Sequence, residues 1–280
     1  MIGRGGDHWG RHARQWARLG SPLRPDPHDI RLFEGLAAHW ARASANAALL
    51  LGVTTEIAAM RWPPATSLFA VDRNADMIRE LWPGRGLTLP AWAVNGDWQA
   101  LPFSDGTFTF AFGDGCYAMM PTGEDFDGLS AEVSRVLAPG GALLVRLFVR
   151  PSRAESLDQV FDALERGRIG SFHAFKWRLA MAVAHDAFGA VGVADIWQSW
   201  DDRCIDRDAL ARKLRWSRGV IDTIDVYRGA LARYSFLSLP AARARLAPYF
   251  EEQACLAAPY ELGERCPTLV LKPRFPSGLR

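Results

Sequence analysis

The chain has 280 residues, 49% hydrophobic and 23% charged, and its 33 basic and 31 acidic side chains leave a formal net charge of +2. That balance excludes wholesale disorder and gives no electrostatic footprint for nucleic acid. No apolar run approaches the ~20 residues that cross a bilayer, and the start Met1-Ile-Gly-Arg lacks an apolar signal core. The expectation is a cytoplasmic protein with no membrane partner, long enough for one large domain with insertions or for two small ones. Cys116, Cys204, Cys255 and Cys266 are dispersed, with no Cys-x-x-Cys pair and no histidine spacing that suits zinc. They read as free thiols in a reducing compartment, and no metal is expected.

Residues 1–45 read as a helical N-terminal segment. Trp9 and Trp16 lie on a basic stretch read as helical, and Ser21-Pro-Leu-Arg-Pro-Asp-Pro27 must then run extended, because each proline restricts its predecessor. Asp26 is placed to cap a helix that has Pro27 at its first position and Asp29 in its first turn. Ile30, Phe33, Ala37 and Trp40 recur at helical spacing and give that helix one buried face. Such a helix packs on a sheet, closes over a site, or does both.

From residue 46 the pattern alternates: strands over 47–51, 68–72, 91–94, 107–112 and 142–148, and helices starting at 55 and spanning 75–82 and 126–137. Alternation of this kind implies a parallel sheet with right-handed crossovers, whose ligands bind at the carboxyl ends of the strands. From 151 to 248 the pattern changes to helices alone. One face there is marked by Phe172, Phe175, Leu179 and Ala182, a second by Leu210 and Leu214, and a third by Ile224, Tyr227 and Leu231. A connection between parallel strands needs only about a dozen residues, so this segment reads as a helical insertion that caps the site. Residues 251–257 and 268–272 then read as two strands joined through Pro259-Tyr-Glu-Leu-Gly263. Arg212-Lys-Leu-Arg-Trp-Ser-Arg218 is a basic cluster with an interleaved tryptophan, which a solvated helix face explains.

Three blocks at the strand ends sit at spacings that suit one small ligand. They are Asn46-Ala-Ala-Leu-Leu-Leu-Gly-Val-Thr-Thr-Glu56, Leu68-Phe-Ala-Val-Asp-Arg-Asn74, and Asn95-Gly-Asp-Trp98 leading into Leu101-Pro-Phe-Ser-Asp-Gly106. Gly52 lets a strand break and the backbone approach a ligand before a helix begins. Asp72 follows about 20 residues later, where an open α/β sheet grips ribose hydroxyls; its other role would be to cap the helix near Ala75. With Thr107-Phe-Thr-Phe-Ala-Phe-Gly-Asp114 and Glu132-Val-Ser-Arg-Val-Leu-Ala-Pro-Gly-Gly-Ala-Leu-Leu-Val145, these blocks resemble the class I S-adenosylmethionine-dependent methyltransferases. The resemblance covers about residues 46–150 and returns more weakly over 250–273.

That resemblance implies an α/β fold with a Rossmann-like methyltransferase sheet, mostly parallel and closed by an antiparallel hairpin. The core would be 46–150 and the closing hairpin 249–280, with 1–45 as a lid segment and 151–248 as the cap. It implies S-adenosyl-L-methionine as cofactor and methyl transfer to a small-molecule acceptor. Met77 would pack on the adenine, Asp97 would accept from its amino group, and Trp98 would donate its backbone N–H or stack on the base. The stretch Gly113-Asp-Gly-Cys-Tyr117 would lie near the methyl, where either Asp114 or the Tyr117 hydroxyl would orient the acceptor; the other role of Asp114-Gly115 would be to shape a turn.

The first motif departs from the family pattern of an acidic residue followed by Gly-x-Gly-x-Gly: Leu50 replaces the acid, and Thr54 and Glu56 replace the second and third glycines. The reading adopted has the Thr54 and Thr55 hydroxyls and the helix start take the methionine carboxylate, with Glu56 or backbone carbonyls taking the ammonium. A general base is optional for a good nucleophile, and His173 is the candidate, ahead of His8, His12, His28, His39 and His185. Two rival functions remain: a non-catalytic binding or accessory protein of the same fold, and a dinucleotide-dependent oxidoreductase. The second should carry Gly-x-Gly-x-x-Gly where this chain has Gly52-Val-Thr-Thr-Glu-Ile.

Overall fold

The computed structural model describes residues 7–275 apart from 185, 187 and 204, so His185 and Cys204 lie outside the described residues. Seven strands form the main sheet: β1 (Asn46–Leu51), β2 (Thr66–Asp72), β3 (Ala91–Asn95), β4 (Phe108–Asp114) and β5 (Leu137–Arg146), then β8 (Phe250–Leu256) and β9 (Thr268–Pro273). Their spatial order is β3-β2-β1-β4-β5-β9-β8, parallel from β3 to β5 and antiparallel at β9 and β8. β1 and β4 are buried almost throughout because helices cover both sheet faces, which is why they read as apolar runs rather than alternating ones. The strand order reverses between β1 and β4. In register there, Leu51 faces Val71 on one side and Gly113 on the other, and this reversal opens a crevice at the carboxyl ends.

The helix Pro27–Trp40 forms as its sequence dictates. The Asp26 side chain accepts from His28 N at 2.9 Å, and the Asp29 carboxylate accepts from Asp26 N at 2.8 Å, which closes a capping box. Phe33 and Ala37 are fully buried, and the Phe33 ring meets Phe112 edge to face at 5.5 Å, so this helix packs on the sheet. Ahead of it, the helix Asp7–Arg14 lies against the short helical turn Asp222–Tyr227.

The segment between β5 and β8 departs from the expectation of helices alone. Besides its helices it forms a two-stranded antiparallel sheet, β6 (Ala190–Gly192) with β7 (Arg233–Ser235). Each strand is three residues long and its partner is distant in sequence, so no local alternation announces it. Gly189 leads into β6 with φ +72°, and a Cβ there would sit 2.2 Å from the Phe236 carbonyl oxygen. The helix Phe172–Val183 is buried on nearly every side, including His173, Lys176 and Trp177, so it is an internal helix rather than an amphipathic one. Leu231 is 80% exposed, because the chain leaves its helical turn at Tyr227 and swings away through Gly229 at φ +66°. Among the described residues no helix is long and apolar enough to cross a membrane.

Candidate functional site

A cavity of about 350 Å³ opens at the carboxyl ends of β1, β2 and β4. β1 ends at Leu51, and Gly52 follows at φ +96°, a conformation that favours glycine. Its amide donates to the Val71 carbonyl at 2.8 Å; a side chain there would project between Trp98 and Asp72, with its Cβ 3.6 Å and 3.8 Å from them. The Trp98 indole N–H donates to the same Val71 carbonyl at 2.6 Å, which fixes the ring as part of the cavity wall.

Asp72 is buried at the end of β2. One carboxylate oxygen, Oδ1, accepts from Asn74 N at 2.8 Å, and burial pushes its pKa up to about 6. The cap of the helix Ala75–Leu81 belongs to Asn74, whose Oδ1 accepts from Met77 N at 2.9 Å. The alternative capping role for Asp72 is therefore filled by its neighbour, and Oδ2 is left on the Gly52 side. Met77 and Thr54 also line the cavity.

Asp114 reaches the wall from β4 with its charge already engaged. Arg146, fully buried at the end of β5, donates through Nε to Asp114 Oδ1 at 2.6 Å. The same guanidinium donates to Asp29 Oδ2 at 3.2 Å, the Tyr260 hydroxyl at 2.8 Å and the Pro22 carbonyl at 3.0 Å. Sequence reasoning passed over Arg146, although a lone arginine inside Leu-Leu-Val-Arg-Leu-Phe was signal enough that an acid must meet it. Beyond Asp114, Gly115 sits at φ +66° against the face of Phe148; a Cβ would fall 2.2 Å from that ring.

Several residues singled out from the sequence are engaged elsewhere. The Thr55 hydroxyl donates to the Leu81 carbonyl at 2.9 Å, and the helix it opens, Thr55–Ala58, has only four residues. Glu56 accepts from Trp16 Nε1 at 3.2 Å and pairs with Arg24, so it secures the N-terminal segment rather than an ammonium group. Asp97 is exposed, with Oδ1 accepting from Gln99 N at 2.9 Å, and stands outside the cavity wall. Tyr117 is buried against Phe126, its hydroxyl 3.1 Å from Ser130 Oγ, and is core rather than wall. His173 lies outside the wall as well, with Nε2 2.9 Å from the Arg18 carbonyl, and burial drives its pKa down to about 3.

The rest of the wall comes from the two flanking segments. Residues 7–45 contribute Trp9, His12, Trp16 and Leu23, and the stretch after β5 contributes Phe148, Trp177, Tyr227 and Tyr234. Burial holds His12 neutral, with its pKa lowered to about 3. The sequence signal for this half of the wall was only the abundance of aromatics in those segments.

Residues 49–145 match the family model of a methyltransferase domain. Among solved structures, a Rhodobacter sphaeroides protein provisionally described as a Zn-dependent alcohol dehydrogenase superposes with a TM-score of 0.62 at 13% identity, covering 98% of this chain and 100% of its own. A possible exported protein from Bordetella parapertussis gives 0.51 at 16% identity, over 88% of this chain and 67% of its own. The N-methyltransferase NodS from Bradyrhizobium japonicum, in complex with S-adenosyl-L-homocysteine, gives 0.47 at 10% identity, over 94% and 98%. At these identities the likeness is one of fold. A search of the curated proteins returns no match. The domain match falls on the strands whose carboxyl ends form the cavity.

Proposed function

We propose that the protein transfers a methyl group from S-adenosylmethionine to a small-molecule acceptor held between the strand ends and a cap formed by the described residues before β1 and after β5. One observation carries this reading: a single cavity joins Gly52, Asp72, Met77 and Trp98 to an aromatic wall supplied by those two segments.

The residues fit the cofactor's parts. The glycine conformation at 52 leaves open the space between Trp98 and the Asp72 carboxylate, where a ribose would lie. Asp72 keeps lone pairs for two hydroxyl donors, since a carboxylate offers about four acceptor sites and Asn74 N takes one. Met77 and Trp98 flank the adenine, and Thr54 with the turn after Gly52 takes the methionine carboxylate. S-adenosylmethionine bound there would supply an electrophilic methyl group on its sulfonium sulfur for an acceptor's lone pair. The chain's own contribution is alignment and exclusion of water by the two flanking segments. His12 in the wall is neutral and weakly basic, so the reading uses no protein base.

The dehydrogenase description of the Rhodobacter neighbour belongs to a protein 13% identical and reaches no further than the fold. Calorimetric titration with S-adenosylhomocysteine and with NAD tests the reading. Micromolar binding of the former alone is expected; NAD binding alone overturns it. Cofactor binding with no turnover on any acceptor would favour the accessory-protein reading.

A further inference from the structure

Three buried imidazoles that methyl transfer does not use gather where the N-terminal segment meets the cap. The helix Asp7–Arg14 lies between the helix Ala75–Leu81, which carries Met77, and the turn Asp222–Tyr227, and it brings Trp9 and His12 to the cavity wall. Two hydrogen bonds tie this segment to the cap. His8 Nδ1 lies 3.0 Å from the Val226 carbonyl oxygen, and His173 Nε2, from the helix Phe172–Val183, lies 2.9 Å from the Arg18 carbonyl oxygen. A carbonyl only accepts, so each ring donates through that nitrogen and is bare at the other while neutral. Those second nitrogens, His8 Nε2 and His173 Nδ1, are buried and have no partner among the described residues. His12 is buried beside Trp9 and Trp16, its ring 6.1 Å from that of His8.

This seam accommodates the rings only while they are neutral. A second proton on His8 or His173 would be a charged donor sealed from water with no acceptor to meet it, which costs far more than a bare ring nitrogen. The charges around the seam add to that cost. Lys176, fully buried and donating to Thr223 Oγ1 at 2.9 Å, acts on His12 and His173, while Arg11 acts on His8 and Arg24 on His173. The acids on the packed elements are already paired: Glu56 with Arg24, Asp76 and Glu80 with Arg79, and Asp222 and Asp225 with Arg207. Tyr227, 5.9 Å from His8 ring to ring, is kept a neutral phenol by burial. Burial lowers the pKa of all three imidazoles, to about 3 for His12 and His173. Released into water, each ring returns to about 6.5.

We propose that the N-terminal segment is a proton-released strap: His8, His12 and His173 hold it against the cap only while neutral, and acidification frees residues 7–18 and uncovers the cavity. A group whose pKa is lower in the closed state favours closure in full above about 6.5 and loses that contribution as pH falls toward 3. Each ring favours release about tenfold more at pH 5.5 than at pH 7.5, so the three together shift the balance by on the order of a hundredfold to a thousandfold. The strap covers the cavity whatever ligand fills it.

Amide hydrogen exchange of the full chain without ligand, at pH 7.5 and 5.5 and corrected for the intrinsic pH dependence of exchange, tests the strap. Protection of residues 7–18 should fall by about a hundredfold or more between the two values, while protection of β1 holds within about threefold. His8→Asn combined with His173→Gln keeps an N–H donor for each carbonyl but takes no second proton, so its fall should shrink to about tenfold, the share left to His12. Should the double variant not fold, His173→Gln alone carries the comparison, with a fall about tenfold smaller than that of the wild type. A wild-type fall below about threefold, a fall that β1 matches, or a variant that keeps the whole wild-type fall overturns the strap. None of these outcomes touches the methyltransferase reading, which titration with S-adenosylhomocysteine tests separately.

Discussion

Arg146 Nε lies 2.6 Å from Asp114 Oδ1, with the arginine fully buried and the carboxylate nearly so. The same guanidinium reaches Asp29 and the Pro22 carbonyl, so one cation ties the ends of β4 and β5 to the N-terminal segment. Two carboxylates depend on it, and Asp29 is also the residue that closes the capping box of the helix Pro27–Trp40.

Removing Arg146 therefore strands two buried acids. Arg146→Met is expected to lower stability by about 3–5 kcal/mol in urea denaturation, the usual cost of breaking a buried pair from one side. Arg146→Lys should recover only part of it, since an ammonium cannot present the planar fork that spans Asp114, Asp29 and a carbonyl. A loss below about 1 kcal/mol for the methionine variant would show that the network contributes little.

Asp72 trades stability for binding. Its folded pKa, raised to about 6 by burial, lies above the unfolded value near 3.8. A raised acid favours the folded state at low pH and loses that contribution as pH rises through about 6. Asp72→Asn should consequently stabilise the free protein by roughly 1–3 kcal/mol at pH 8 and by little at pH 4. The same change should weaken S-adenosylhomocysteine by roughly tenfold to a hundredfold at pH 8, as the charged acceptor is lost. Wild-type affinity should decline as pH falls below about 6. Thermal melts at the two pH values, paired with titrations, check both halves; a variant that melts lower at pH 8 contradicts the first.

Asp72, Gly52, Thr54 and the capped helix at Asp26 were legible because their signals are local: a strand end, a turn, a proline and an acid a few residues apart. The Tyr227–Trp177–Phe148 wall was not, since it is assembled by packing between segments far apart in sequence. Short-range chemistry also misdirected. Thr55 and Glu56 stand beside Gly52 in the chain, yet one hydroxyl is claimed by the end of a neighbouring helix and the carboxylate by Arg24 and Trp16. No spacing rule shows such competitors. Lys176 is a comparable case, a charge inside an apolar helix whose burial only the tertiary structure discloses.

Lys176 is expected to cost stability at neutral pH. Its folded pKa of about 7 lies below the ordinary 10.5 because burial opposes the charge. The unfolded chain binds that proton more tightly, so the penalty is full below pH 7 and fades as pH rises toward 10.5. Lys176→Met fills similar volume, and Thr223 keeps its hydroxyl bond to the Val220 carbonyl at 2.6 Å. The variant should be more stable by at least about 1 kcal/mol at pH 6, with the gain shrinking by pH 10. Chemical denaturation across that range measures it, and a gain that grows with pH would contradict the assignment.

Thr54 and Thr55 are adjacent, and the structure separates their roles. Thr54 lines the cavity beside Gly52, whereas Thr55 donates to the Leu81 carbonyl and so links the helix Thr55–Ala58 to the end of the helix Ala75–Leu81. Thr55→Val should cost about 1 kcal/mol of stability, since it leaves that carbonyl without the hydroxyl, and should barely change cofactor affinity. Thr54→Val should do the reverse. One hydroxyl bond to a charged carboxylate is worth about 1.5–3 kcal/mol, so S-adenosylhomocysteine should weaken by at least tenfold while the melting temperature holds. Adenosine lacks the amino-acid tail and should bind the Thr54 variant as it binds the wild type. Equal losses of adenosine and S-adenosylhomocysteine in that variant would mean that Thr54 shapes the turn after Gly52 rather than gripping the carboxylate.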